Sequence, residues 1–157
     1  MTTPSALERP SDVPLRRRVA ARLAVALARP LALLPPRRIR ATFSVLRRGA
    51  RPASYGEALA AREAVCAVSL ACLGPQGCLV RSLATTLLCR LSGRWPTWCV
   101  GVRAMPPFGA HAWVEAEGRP VDEAAPAGYL RKLMAVPPAG AVPSAGAVPP
   151  AGSTTRQ

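Results

Sequence analysis

The order of helical and strand-like segments along the chain predicts an α+β fold. Up to about residue 91, apolar residues recur every three or four positions in stretches rich in alanine, leucine and arginine, which is typical of helices. Beyond Gly93 the pattern changes to short strand-like runs joined by a glycine turn. The chain has 157 residues, of which 50% are hydrophobic, and this is enough for one packed core. We therefore expect N-terminal helices packed against a small antiparallel sheet.

Prolines and a glycine delimit the first two helices. One helix is predicted from Leu15 to Leu34, with a kink or break at Pro30. Pro35-Pro36 ends it, because proline has no backbone N–H to donate inside a helix and its ring clashes with the preceding turn. A second helix is predicted from Arg38 to Arg48, and Gly49 ends it.

Two longer helices follow, and their starts are marked more clearly. Ser54 and Glu57 form a capping-box pattern that opens a helix running to about Leu73. The sequence Gly74-Pro75-Gln76-Gly77 breaks the chain. The next helix is predicted from Cys78 to Leu91, with leucines four residues apart on one face.

The strands are predicted from Thr97 to Val102, from Ala110 to Ala116 and from Arg119 to about Asp122. A turn at Glu117-Gly118 is predicted between the last two. From Ala135 onward the chain repeats the sequence AVPPAG or AVPSAG three times. Proline at this density removes backbone donors, so we expect no packed element there.

The positive charge is concentrated at the N-terminus. The formal charge is +13, and residues 1–51 contribute +10 of it through twelve arginines against Glu8 and Asp12. No nucleic-acid-binding motif accompanies these arginines, so we do not predict a nucleic-acid partner. Arg22 and Arg29 interrupt the most apolar stretch, which argues against a membrane span.

The cysteines indicate reduced thiols rather than disulfides. Their number, five, is odd, and they form no C-x-x-C pair, which favours a cytoplasmic location. With a single histidine and no close ligand pair, neither a metal site nor a cofactor is predicted. Four of the cysteines lie within predicted helices or strands and are expected to pack as small apolar side chains: Cys66, Cys72, Cys89 and Cys99.

Cys78 and His111 are the candidate catalytic pair. Cys78 opens a helix, where unpaired N–H groups and the backbone dipole lower a thiol pKa and can hold an oxyanion. His111, at the start of a strand, can act as base for the thiol and then as acid for a leaving amine.

The third group, which would orient the imidazole, is Asp122 or Glu123. If Glu117-Gly118 is a two-residue loop, alternation along the strands places Asp122 on the face of His111 and Trp113. A bulge or a longer loop would reverse the alternation and favour Glu123. Hairpin parity makes Asp122 the preferred residue.

These residues resemble a known family. The stretches Gly77-Cys78-Leu79-Val80-Arg81-Ser82-Leu83-Ala84, Val100-Gly101-Val102-Arg103 and Ala110-His111-Ala112-Trp113-Val114-Glu115 are similar to the transglutaminase-like protease of lasso peptide biosynthesis. More narrowly, the sequence resembles the stand-alone protease half of the split B protein, over roughly residues 55–125.

The resemblance implies a papain/transglutaminase-like fold and a cysteine protease with a Cys-His-Asp triad. In the family an aspartate follows the histidine by about twelve positions, which here is Glu123, so residue type favours Asp122 and spacing favours Glu123. The implied reaction removes the leader from a ribosomally made precursor through a thioester on Cys78. The implied partners are the lasso precursor peptide, a separate leader-recognition protein and an asparagine-synthetase-like cyclase.

With this resemblance the chain divides into four predicted parts. They are a flexible N-terminus (1–13), a basic helical extension (14–52), a transglutaminase-like protease domain (53–134) and a disordered Pro/Ala/Gly-rich tail (135–157). The arginine-rich extension is a candidate surface for an acidic leader or for a partner protein.

Further contacts with substrate are predicted at Trp113, Phe108 and Arg81. Phe108 lies in the proline-rich loop before His111, a candidate rim for a peptide groove. Arg81, together with Ser82, is alternatively a residue that fixes the helix and its loop.

Two other functions are compatible with the sequence. A transglutaminase-like acyltransferase would pass through the same thioester and hand the acyl group to an amine. A non-enzymatic basic module would bind nucleic acid or an anionic membrane surface through residues 16–51, with steep salt dependence that survives loss of Cys78.

Overall fold

The protein is described by a computed structural model that covers residues 13–74, 76–123, 126 and 128–141. The N-terminal part that was predicted to be flexible (1–13) and the last two repeats of the predicted tail lie outside these residues, apart from Val13 and Ala141. Five helices are present in the described part: α1 (Leu15–Ala32), α2 (Pro36–Leu46), α3 (Tyr55–Val68), α4 (Leu70–Leu73) and α5 (Cys78–Leu91). The strands are β1 (Arg51–Pro52), β2 (Arg94–Trp95), β3 (Thr97–Arg103), β4 (Gly109–Ala116), β5 (Arg119–Pro120) and β6 (Leu130–Val136). The predicted α+β class is confirmed.

The helices follow the predicted pattern with small shifts at their ends. Pro30 lies inside α1, which continues for two more residues to Ala32. Pro36 occupies the first turn of α2, where the missing N–H costs nothing. The capping box at the start of α3 is present in full, because Ser54 accepts from the Glu57 amide and the Glu57 carboxylate accepts from the Ser54 amide.

The third predicted helix is two helices, not one. Ser69 has an extended backbone conformation, and this ends α3 at Val68. The Ser69 side chain then caps the start of the short helix α4. The predicted end at Leu73 is therefore the end of α4. Serine favours this break, since its hydroxyl replaces a helical backbone bond.

One core joins the N-terminal helices to the rest of the chain. Alanines on α1 and α3 allow both helices to pack closely against α5, while Phe43 of α2 meets Trp95 and Trp98 edge-on at 5.3 and 5.2 Å. The predicted boundary at residues 52 and 53 therefore does not separate two cores. In the part of the chain that is described, none of the helices has the length and apolarity needed to cross a bilayer.

The main sheet has the order β5-β4-β3-β6, with all neighbours antiparallel. The two-residue turn Glu117-Gly118 is present, with φ of 52° and 76°, and pairs Ala116 with Arg119 as predicted. A separate parallel pair joins β1 to β2. The sheet therefore has β3 and β4 at its centre, the two strands that carry the Gly-Val-Arg and His-Ala-Trp-Val-Glu motifs.

Strand β6 corrects the predicted start of the tail. Ala135 and Val136 belong to the first copy of the repeat, yet they pair with β3, and Val136 is buried. Trp95 Nε1 donates to the Val136 carbonyl at 3.1 Å, and Arg47 donates to the Pro137 carbonyl at 2.9 Å. Pairing with an existing strand supplies the hydrogen bonds that the repeat cannot make by itself.

Candidate active site

The start of α5 is fixed by two contacts with α4. A side chain at Gly77 would place its Cβ 2.1 Å from the Ala71 carbonyl oxygen and 2.9 Å from Cys72 Cα, so only glycine allows this approach. Arg81, one turn into α5, is buried and donates to the Cys72 carbonyl at 2.6 Å. Cys78, between Gly77 and Arg81, is thereby held at the first position of the helix.

The Cys78 thiol lies where charge on sulfur is stabilised. Burial by itself would raise its pKa, but hydrogen bonds from the His111 side chain and the Ala112 amide, and the charges of His111 and Arg81, lower the pKa below the usual value. On the β5 side of β4 the backbone pairing reaches Ala116, Glu115 and Val114, where the Val121 amide donates to the Val114 carbonyl, and it stops before Ala112. Cys78 is also the one cysteine that is partly exposed; all five lie in the described residues.

The His111 imidazole lies between a thiol and a carboxylate. Its Nε2 is 2.9 Å from Glu123 Oε2, and its ring stacks on Trp113 at 5.9 Å with an interplanar angle of 15°. Burial lowers the pKa of His111, but hydrogen bonds to Cys78 and Glu123 outweigh this effect and raise it to about 9. Because Glu123 holds Nε2, the nitrogen left for the Cys78 sulfur is Nδ1.

The preference for Asp122 beside the imidazole is wrong, and Glu123 takes that position. The loop and the pairing of Ala116 with Arg119 are as expected, but the strand stops at Pro120 and Asp122 has a φ of 49°. This left-handed residue breaks the alternation on which the parity argument depends. The Asp122 carboxylate instead forms an ion pair with Arg62.

Helix α3 holds the segment that carries Glu123. Arg62 of α3 is buried, so its guanidinium needs the Asp122 carboxylate as a partner. Tyr55 Oη accepts from the Asp122 amide at 3.2 Å, and the Tyr55 amide donates to Glu117 at 3.1 Å. These contacts fix the backbone on both sides of the turn after β4, and Glu123 follows directly.

A protein-family model matches the chain. The Transglutaminase-like superfamily matches residues 21–135, which is most of the chain and spans α1 to β6. The chain belongs to the transglutaminase-like superfamily. No curated protein and no solved structure matches it. Cysteine peptidases and acyltransferases are the activities typical of this superfamily.

Within this transglutaminase-like chain, Arg81 and Ser82 have structural contacts. Arg81 is buried against α4, as described above, and offers no surface to a peptide. Ser82 Oγ accepts from Trp98 Nε1 at 3.1 Å and donates to the Leu79 carbonyl at 2.9 Å, which ties α5 to β3. The predicted contact of Arg81 with substrate is therefore replaced by the alternative that it fixes the helix and loop.

Trp113 and Phe108 differ sharply in exposure. Trp113 is 2% exposed, and its Nε1 donates to Glu115 at 2.9 Å, so it supports the His111 ring rather than meeting a substrate. Phe108 is 72% exposed in the loop between β3 and β4, with Met105 also exposed. Met105 and Phe108 are thus exposed apolar side chains of the loop before β4, and their role as the rim of a peptide groove stays a prediction.

Two groups of the site were not assigned from the sequence. The identity of residue 112 does not indicate that its amide donates to Cys78, because every residue except proline has a backbone N–H. Arg103 Nη2 lies 3.4 Å from His111 Nδ1, and the ion pairs among the described residues do not include Arg103. The Gly-Val-Arg motif marked Arg103, but sequence alone gave it no partner.

The other four cysteines are buried, which confirms the packing prediction. Burial raises the pKa of each, to about 12 for Cys89. Among the residues described, no three His, Cys, Asp or Glu side chains form a group that could hold a metal ion. A cleft of about 790 Å³ lies at the far end of α5, and its lining, which includes Arg17 and Leu88, does not contain the Cys78 site.

Proposed function

We propose that the protein is a cysteine peptidase with Cys78 as nucleophile, His111 as general base and acid, and Glu123 as the residue that orients the imidazole. The observation that carries this proposal is the chain of contacts from the lowered-pKa thiol through the imidazole to Glu123. Opposite shifts of the two pKa values favour a thiolate and an imidazolium at neutral pH.

The proposed reaction has two stages. The Cys78 thiolate attacks the carbonyl carbon of the scissile amide, and N–H groups in the first turn of α5 hold the oxyanion. The imidazolium proton of His111 passes to the leaving amine, which departs and leaves a thioester on Cys78. Neutral His111 then takes a proton from water, the hydroxide attacks the thioester, and the carboxylic acid and free Cys78 are released.

We further propose that the substrate is the leader segment of a ribosomally made lasso precursor peptide. The support is the combination of C-L-x-R-S-L, G-V-R and H-A-W-V-E motifs on the elements that build the site. The exposed Met105 and Phe108 provide an apolar edge on which an extended peptide can lie. The core peptide would pass to an asparagine-synthetase-like cyclase, and a separate recognition protein would deliver the leader.

A reducing compartment suits this chemistry. All five cysteines are free in the structure, and the nucleophile must be a thiolate to react. We therefore propose that the reaction takes place in the cytoplasm, where the precursor is made.

The test is cleavage of the precursor by purified protein in the presence of the recognition protein, followed by mass spectrometry. Two fragments whose masses add up to the precursor plus one water are expected from wild type, and none from Cys78→Ala. A leader mass increased by an added amine, without the hydrolysed leader, would instead indicate the acyltransferase activity that shares the thioester. Cleavage by Cys78→Ala at the wild-type rate would refute the mechanism.

A further inference from the structure

Helix α1 has an apolar face that nothing in the described structure covers. Leu15, Val19, Leu23 and Leu27 recur every four residues and are 74%, 48%, 59% and 56% exposed. The opposite side of α1 packs into the core through four residues that are at most 6% exposed: Ala21, Ala24, Val25 and Ala28. One buried face accounts for the folding of α1, so the second apolar face is not needed for the core.

The spacing of this outward face of α1 suits contact with another helix. Side chains four residues apart form the ridge that inserts between the ridges of a neighbouring helix. A contiguous row of exposed aliphatic side chains is typical of a site that binds another molecule. These exposed aliphatic side chains also lower the solubility of the protein, and a partner that covers them would remove this disadvantage.

The charges beside the row are of one sign. Arg16, Arg22 and Arg29 lie among the exposed positions of α1, and the ion pairs of the described residues include none of them. No acidic residue occurs in the sequence between Asp12 and Glu57. A partner that covers the leucines therefore gains from carboxylates at its margins.

We propose that the outward face of α1 binds an acidic amphipathic helix of a partner protein, with aliphatic side chains along the contact and Asp or Glu at its edges. A second copy of this chain fits poorly, because residues 1–51 carry a charge of +10 and two such surfaces repel each other. A lipid surface fits less well, because α1 lacks the aromatic side chains typical of interfacial helices. The site is separate from Cys78, and the proposal does not depend on the peptidase activity.

The test uses the full chain and a fluorescent synthetic helix of about three heptads with leucine at the contact positions and glutamate at the flanking positions. Binding is measured by anisotropy below the concentration at which the peptide associates with itself. We expect saturable binding that weakens with added salt, and at least about tenfold weaker binding when lysine replaces glutamate in the peptide.

The matched variants place the same change on and off the proposed surface. Leu23→Glu with Leu27→Glu is expected to weaken binding at least tenfold, whereas Leu133→Glu, at an exposed leucine of β6, leaves it unchanged. Glutamate is a good helix former and both leucines are exposed, so the double variant retains the fold, which its thermal unfolding checks.

Several results would overturn the proposal. The lysine peptide could bind as tightly as the glutamate peptide, the glutamate peptide could fail to bind, or the double variant could bind the glutamate peptide as tightly as wild type does. Binding to phosphatidylglycerol vesicles that the double variant abolishes would assign the face to a membrane instead. Dimerisation that the double variant abolishes would assign it to a second copy.

Discussion

Cys78 and Cys89 lie at opposite ends of the same helix and behave in opposite ways. Cys78 opens α5, is partly exposed and has a lowered pKa, while Cys89 near its end is 3% exposed and burial raises its pKa to about 12. Both belong to one helix, so the difference comes from the surroundings: N–H donors and an imidazole at one end, and apolar packing at the other. Thiol chemistry is therefore a property of position in the fold.

The largest expected effect is on the nucleophile itself. Cys78→Ala should lower kcat for precursor cleavage by about 10⁴-fold or more, because the covalent route is lost. Cys89→Ala, the control at the other end of α5, should keep kcat within about threefold while lowering the free energy of unfolding by about 1 kcal/mol. Cleavage rates and urea unfolding of both variants measure this contrast.

Equal losses of activity in the two variants would break the comparison. In that case the effect of removing Cys78 would be a general loss of packing in α5, and the thiol would have no chemical role.

The second contrast concerns the two adjacent carboxylates. Glu123→Gln should lower kcat by about 10²-fold or more, because the imidazolium loses its charged partner. Asp122→Asn should leave kcat nearly unchanged and lower the free energy of unfolding by roughly 1–3 kcal/mol, because it weakens the partner of the buried Arg62. Kinetics and urea unfolding of the two variants separate orientation from stability. The reverse pattern would return the orienting role to Asp122.

The pH dependence sharpens the contrast between the two thiols. Below the lowered pKa of Cys78 its thiolate is protonated, so alkylation by iodoacetamide slows as the pH falls. As the pH rises through about 9, His111 loses its proton, so peptide cleavage falls while alkylation of Cys78 continues. At pH 7 the alkylation of Cys78 should exceed that of Cys89 by at least about 100-fold.

The same shift affects stability. The pKa of folded His111 is raised above the 6.5 usual for the unfolded chain, so the imidazolium stabilises the fold fully below pH 6.5. This contribution is lost as the pH rises through about 9. Urea unfolding of wild type and His111→Ala across this range measures it, and a difference that is constant with pH would contradict the shift.

The smallest expected effect is at Arg103. Its guanidinium lies 3.4 Å from His111 Nδ1, and we expect a cation at this distance to disfavour a charged ring. Arg103→Ala should raise the alkaline limit of cleavage by roughly half a pH unit, whereas Arg103→Lys, which keeps the charge, should not. A fall in the alkaline limit would mean that Arg103 stabilises the imidazolium through another group.

Sequence reasoning succeeded where the decisive interactions are local. The capping box at Ser54, the helix start at Cys78 and the two-residue turn at Glu117-Gly118 each depend on a few neighbouring residues. The turn predicted the pairing of Ala116 with Arg119, and this pairing is present.

The sequence did not predict Glu123 as the preferred partner of His111, because its position depends on the distant residue Arg62. Arg62 lies sixty residues before Asp122, and nothing in the local sequence shows that Arg62 is buried and draws that carboxylate away from the ring. Strand β6 was not predicted from the sequence, for a related reason. Its residues have no clear alternation and run into the AVPPAG repeat, so only the exposed edge of β3 selects them as a strand.

Strand β6 also bears on the order in which the protein becomes complete during synthesis. The ribosome makes Cys78 and His111 before it makes residues 130–136, and until then β3 has an unpaired edge. At about 5–20 residues per second, the nascent chain passes through this stage within a few seconds. A chain released early, before Val136, would carry the reactive thiol on a sheet that is open to pairing with other chains.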